Sequence, residues 1–257
     1  MDQFQLKNFP VLVFVVTLVL MWVSAQAGAY FHRKWQDLEK DVRGDIGVVL
    51  AAALTLLGLI IGFTFSMAAS RYDQRKNYEE AEANAIGTEY LRVDLLPAAD
   101  AAKARELLKS YLDQRVLFYT THNAHKLEQI NTATAQLQND LWSAVRAPVA
   151  AQPTPVAALV ASGMNDVLNS QGYTQAAWWN RIPAGAWWLM SAVAVCCNLL
   201  FGFNASASIG KTRLFLVLPL IVSIAFFLIA DIDSPRRGLI NVRPLNLIST
   251  AQSLRAP

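Results

Sequence analysis

Residues Ile46–Ala69 read IGVVLAAALTLLGLIIGFTFSMAA, 24 residues without a single charge. Crossing roughly 30 Å of hydrocarbon at 1.5 Å per residue takes about 20 residues of helix. Inside a bilayer no water bonds the backbone, so each N–H and C=O must be satisfied within its own segment, which makes such a run helical. This stretch therefore reads as a transmembrane helix, and the chain as an integral membrane protein.

Three further apolar runs lie on either side of it. The first is Pro10–Tyr30, cored by VLVFVVTLVLMWV; the others are Ala184–Ala205 and Leu214–Ala230. The last has 17 residues, and Pro219 inside it predicts a kink or weak point. The expected fold is an all-α integral membrane protein with four transmembrane helices and a helical soluble domain between the second and third. Residues 1–69 carry spans one and two, 70–180 the soluble domain, 181–231 spans three and four, and 232–257 a C-terminal tail.

The composition agrees. Of 257 residues, 54% are hydrophobic and 16% charged, against about 25% charged in a soluble domain. Lys7, the apolar run behind it and Ala25-Gln26-Ala27 imitate a secretory signal peptide. Trp22 and Tyr30 suit a membrane-interface belt instead, so a retained first helix is expected. A net charge of +3, with no basic tract or stacking pattern, excludes a nucleic-acid partner. Cys196 and Cys197 are adjacent within an apolar run, which argues against a disulfide framework.

The middle segment reads as helices. SRYDQRKNYEEAEANAIGTEYLRVDLL is rich in helix formers, and Pro97 ends it. Ala99–Thr121 carries an apolar face at helical spacing, and Lys126–Arg146 a third helix. Pro148, Pro153 and Pro155 predict a linker, followed by a helix over Val156–Ser170. Trp178, Trp179, Trp187 and Trp188 bracket the start of the third span, as interfacial indoles do.

Four spans put both termini and the middle segment on one side. Lys7, Arg71, Arg75, Lys76, Arg181, Arg236, Arg237 and Arg243 mark that side. Arg33, Lys34, Lys40, Arg43, Lys211 and Arg213 mark the other. The excess of basic residues votes for a cytoplasmic middle segment.

No catalytic constellation emerges, and no enzyme or cofactor is expected. There is no P-loop, G-x-S-x-G or H-E-x-x-H. His122 and His125 lack a Cys or acidic partner that would complete a metal site, so both are expected to be solvated. Asp231 and Asp233 follow the fourth span, with Arg236 and Arg237 close behind, and read as a solvated helix end.

The second span carries more information than its length. It is apolar all round, so periodicity does not reveal an inner face. It nevertheless contains Thr55, Gly58, Gly62, Thr64, Ser66, Ala68, Ala69 and Ser70, small or hydroxylated residues that favour close helix approach. Thr55, Leu59, Phe63 and Ser66 share one stripe. Such a stripe either packs against a neighbouring span or lines a narrow apolar constriction that gates by dewetting.

The stretch from Asp45 to Arg75, the block EANAIGTEYLRVDLLP (Glu82–Pro97) and DIDSPRRGLINV (Asp231–Val242) resemble the bacterial membrane family called bestrophin-like or DUF4239. The four-span layout matches over nearly the whole chain, the distinctive motifs over about a quarter of it. More distantly the chain is similar to the bestrophins, pentameric ion channels whose second span lines the pore with an apolar neck. Gly62-Phe63 followed by Arg71 keeps the spacing of their G-F…R pattern.

The resemblance implies that Phe63 and Leu59 project into the neck, with Thr55 one turn further and Ser66 near the inner mouth. It implies a homo-oligomer, a pentamer by likeness, in the bacterial inner membrane, multi-pass, with the lipid bilayer and small inorganic ions as partners. Anion conduction is favoured over cation conduction, with selectivity left to charges flanking an apolar constriction. Where calcium-responsive bestrophins carry an acidic run, this chain has Arg236-Arg237-Gly238, so calcium gating is not implied. Arg71, Glu82, Asn84 and Arg92 are the expected structural or subunit-contact residues, with Glu82 and Arg92 placed to pair with each other or to touch a neighbouring subunit. The alternative function is a non-conducting membrane scaffold whose helical domain docks a partner.

Overall fold

Long runs of helix-forming residues punctuated by proline give a chain whose described residues contain helices and no strand. The computed structural model describes residues 9–34, 40–205 and 213–255. In chain order the helices are α1 (Pro10–Lys34), α2 (Lys40–Arg92), α3 (Ala98–Thr120), α4 (Ala124–Ala151), α5 (Pro155–Trp179), α6 (Ala184–Asn204), α7 (Val217–Asp233) and α8 (Leu245–Ser253). Short 3₁₀ turns at Val93–Leu95 and Arg213–Leu216 follow α2 and precede α7. Much of the charged 31–45 connection, Lys7 and the loop carrying Lys211 lie outside the residues or side chains described.

The chain divides into two compact units. The first comprises the chain through Arg71 together with Arg181–Asn241; the second comprises Tyr72–Asn180 with the segment from Val242 onward. α2 contributes to both, since it runs unbroken through Arg71 and Tyr72.

In the first unit α1 packs against α6 and α7. Two glycines set the approach of α1 to α6. A Cβ on Gly28 would lie 2.0 Å from the carbonyl oxygen of Leu199, and one on Gly202 would lie 1.9 Å from that of Ala25. Backbone thus meets backbone at the crossing, the close packing that small residues permit between apolar helices. Buried hydroxyls bond to their own helix: Thr17 Oγ1 donates to Val13 O at 2.7 Å, Ser24 Oγ to Leu20 O at 2.7 Å and Ser223 Oγ to Pro219 O at 2.7 Å. They enter an apolar interior without an unsatisfied group. Asn198 donates to Ala194 O at 2.8 Å and contacts the Met21 sulfur at 3.2 Å.

Among the described residues three helical stretches are long and apolar enough to cross a bilayer, within Pro10–His32, Gly44–Leu95 and Pro155–Asn204. α7 has 17 residues and extends to Asp233. Pro219 sits in its first turn, where the missing N–H has no intrahelical acceptor to lose.

The second unit is a helical bundle. α3 packs on α4 and on α8, and α4 on α5. Its core joins Ile86, Leu108, Tyr111, Leu112, Phe118, Leu141, Val160, Met164 and Leu247, each contributing about 1.5–3 kcal/mol by burial. Asn123 caps α4 by accepting from Lys126 N at 3.1 Å, and Thr154 caps α5 by accepting from Ala157 N at 3.1 Å. The proline linker is shorter than its sequence suggests. Pro148 lies inside α4, buried near its C-terminal end, and Pro155 starts α5, where proline is favoured. α5 also runs on past Ser170 to Trp179.

Candidate functional site: the two faces of α2

The burial pattern supplies the register that the apolar composition of α2 conceals. Leu50, Leu57, Thr64 and Ala68 are buried, Leu57 at 2% exposure. They recur at seven, seven and four residues, one stripe of an α-helix. Thr55, Leu59, Phe63 and Ser66 are all exposed, Leu59 at 54% and Phe63 at 66%. At 3.6 residues per turn, Thr55, Leu59 and Ser66 lie opposite the Leu57 stripe, with Phe63 on its flank. The stripe therefore does not pack against a neighbouring span of its own chain.

Cβ atoms placed on Gly58 or Gly62 would meet nothing within 4 Å. Thr64 Oγ1 donates to Ile60 O at 2.8 Å and Thr55 Oγ1 to Ala51 O at 2.9 Å, so both hydroxyls suit an apolar medium. Only 11% of the most apolar window of α2 is buried, against 33% for α1. Within a single chain this face is free.

A polar cluster closes the first unit where the α2 span ends. Asp233, fully buried, accepts from Arg181 Nε at 3.0 Å and from Ile182 N at 3.1 Å, with Arg71 Nη1 at 3.9 Å. Asp231 accepts from the backbone amides of Leu239 at 2.6 Å and Ile240 at 2.9 Å. Gly238 makes this turn possible, because a Cβ there would lie 2.4 Å from Asp231 O. The expectation of a solvated helix end is thus overturned: both aspartates are buried anchors of the turn after α7. Arg237 stacks over the Phe9 ring at 4.4 Å.

In the second unit the register of α2 continues at fours and threes through Arg75, Glu79, Glu82, Ile86, Glu89 and Val93, all buried. Three glutamates therefore point inward. Glu82 pairs with Arg115, whose Nη2 lies 3.4 Å from Oε2, and accepts from Thr174 Oγ1 at 3.0 Å. The pairing of Glu82 with Arg92 expected from sequence does not occur, because the two lie on different faces and Arg115 occupies the inner one. Tyr111 and Tyr119 are held protonated by burial and by the Glu82 charge. Glu79 accepts from Leu247 N at 3.0 Å and Asn246 Nδ2 at 2.7 Å, fastening the start of α8. Asn84 is exposed and Arg92 half-buried.

Sequence reasoning missed Glu79, Glu89 and Arg115. The heptad-like recurrence of acidic residues in phase with Leu57 and Thr64 was the available signal. His122 and His125 are both exposed, and no group of three or more metal-ligating side chains forms among the described residues.

The bestrophin-like domain family matches residues 11–247 of this chain. No curated protein matches it. Among solved structures, a point variant of a bacterial bestrophin homolog from Klebsiella pneumoniae is similar with a TM-score of 0.62 at 14% identity, over 94% of this chain and 97% of that one. A second variant of that homolog gives 0.61 at 13% identity, over 94% and 93%. A structure described as a membrane protein gives 0.63 at 13%, over 93% and 96%. At these identities the likeness is one of fold.

Proposed function

This chain belongs to the bestrophin-like family, and from that premise we propose that it forms an oligomeric ion channel whose pore is lined by α2. Four spans, α1, the apolar part of α2, α6 and α7, cross the bacterial inner membrane in this reading, with the helical unit in the cytoplasm. Copies of α2 surround the axis in a homopentamer. Leu59 and Phe63 form the apolar neck, Thr55 lies one turn further and Ser66 near the inner mouth. Arg71, Glu82, Asn84 and Arg92 keep structural or subunit-contact roles. In this reading anions are favoured over cations.

The observation that carries this reading is the opposition of faces on α2. A helix with Thr55, Gly58, Gly62 and Ser66 exposed, away from the stripe it buries in its own chain, suits a second copy and a shared axis. The test is chloride flux in liposomes by the purified protein, with its mass in detergent measured alongside. A pentamer whose flux changes on Leu59→Ala or Phe63→Ala supports the channel. A monomer, or flux indifferent to both substitutions, removes α2 from the pore. A stable oligomer without flux that retains a soluble partner favours the alternative, a non-conducting scaffold docked through the helical unit.

A further inference from the structure

Three glutamates of α2 are buried in the second unit, and only one lacks a donor. Glu79 has the α8 backbone and Asn246, and Glu82 has Arg115 and Thr174. Glu89 is 0% exposed, and neither carboxyl oxygen has a hydrogen-bond partner. It lies against Gly163 of α5, where an added Cβ would sit 1.9 Å from Glu89 Oε2 and 2.6 Å from Arg92 Nη1. At this point the contact between α2 and α5 is a carboxyl group laid on bare backbone, a fit that any added side chain would displace.

We propose that Glu89 and Gly163 form a proton-operated latch between α2 and α5, closed when the carboxyl is protonated and opened when it ionises and swings to Arg92. An unpartnered carboxylate in an apolar interior is among the costliest arrangements in a protein, so the group keeps its proton instead. Burial pushes the Glu89 carboxyl up from 4.5 to about 8, with Arg92 on its own helix opposing and Asp166 on α5 adding to the rise. Near neutral pH the carboxyl is neutral and packs on Gly163. Once ionised it requires a donor, and the Arg92 guanidinium crowds the same point. That pairing replaces the carboxyl resting on Gly163 with an ion pair over the same glycine and loads the last turn of α2, which leads into the 3₁₀ turn Val93–Leu95. The latch does not depend on whether α2 conducts ions.

The test is infrared titration of the full chain in detergent from about pH 6 to about pH 10, against Glu89→Gln, which fixes the neutral shape. A protonated-carboxyl band is expected in the parent at neutral pH, lost with a midpoint near 8 and missing from E89Q. Amide protection around Gly163, corrected for the base-catalysed intrinsic exchange rate, should fall across the same midpoint in the parent only. Arg92→Gln should move the midpoint upward, because its cation favours the ionised form. The linkage has a definite sign. The folded chain holds this proton more tightly than the unfolded one, so stability falls by up to one proton's worth per pH unit between about 4.5 and about 8 and then levels off. That parental slope can be read even if E89Q fails to fold. A titration at an ordinary carboxylate midpoint, a band surviving in E89Q, or an unmoved midpoint in R92Q would each overturn the latch. Loss of liposome flux at every pH with the infrared titration intact would count against the channel alone.

Discussion

The two parts of α2 invert the usual relation between polarity and burial. Residues 46–69 are uncharged, yet most of that stretch is exposed. Residues 72–92 are rich in charge, yet Arg75, Glu79, Glu82 and Glu89 are all buried. One helix in one register does both, because its surroundings change along its length. Along residues 46–69 the outward face touches nothing in its own chain, and apolar side chains there suit a bilayer. In the bundle, helices with their own donors surround α2, and carboxylates can be buried as long as each is satisfied. Glu89 is the exception, and it carries the raised pKa.

The sharpest way to break this contrast is to remove one partner of a buried ion pair. Glu82→Ala strands Arg115 in the bundle, and Asp233→Ala takes the shared acceptor from Arg181 and Ile182 N at the α7 turn. Each should cost about 3–5 kcal/mol, read by chemical denaturation in detergent. A loss under 1 kcal/mol on the same scale would mean that solvent already reaches these pairs. Next in size is Gly202→Val, which forces α1 from α6 and should cost about 1–3 kcal/mol by overpacking. Asn123→Ala and Thr154→Ala each remove a helix cap and should cost about 1 kcal/mol. Smallest should be Leu59→Ala and Phe63→Ala, within about 0.5 kcal/mol for the isolated chain, since neither is packed there. Should either melt the oligomer while sparing the monomer, the exposed face is a subunit contact rather than a free wall.

Much of the fold was legible. The apolar runs foretold α1, the spanning part of α2, α6 and α7 to within a few residues, because the demand for internal hydrogen bonding in lipid leaves helix as the sole choice. The stripe of Thr55, Leu59, Phe63 and Ser66 was also legible as a unit, from spacing alone. Its direction was not. When every residue around a helix is apolar, no moment distinguishes the packed face from the outer one, and Leu57 looks no more internal than Leu59. Pro148 misled for a different reason: α4 loses one bond at it yet closes a last turn beyond, with Gln152 N donating to Pro148 O.

By itself, the sequence determined that this is a membrane protein, where its apolar helices lie and that further helices join them, since hydropathy, length and helix propensity are local properties. Which face of α2 is buried, that Glu82 finds Arg115 and Thr174, that Asp231 and Asp233 turn inward and that Glu89 finds no donor were decided by tertiary structure alone. Those outcomes depend on partners far away along the chain, such as Thr174 for Glu82 and Arg71 for Asp233. A carboxylate's solvation and charge state are set by the groups that fold against it, and no local pattern records them.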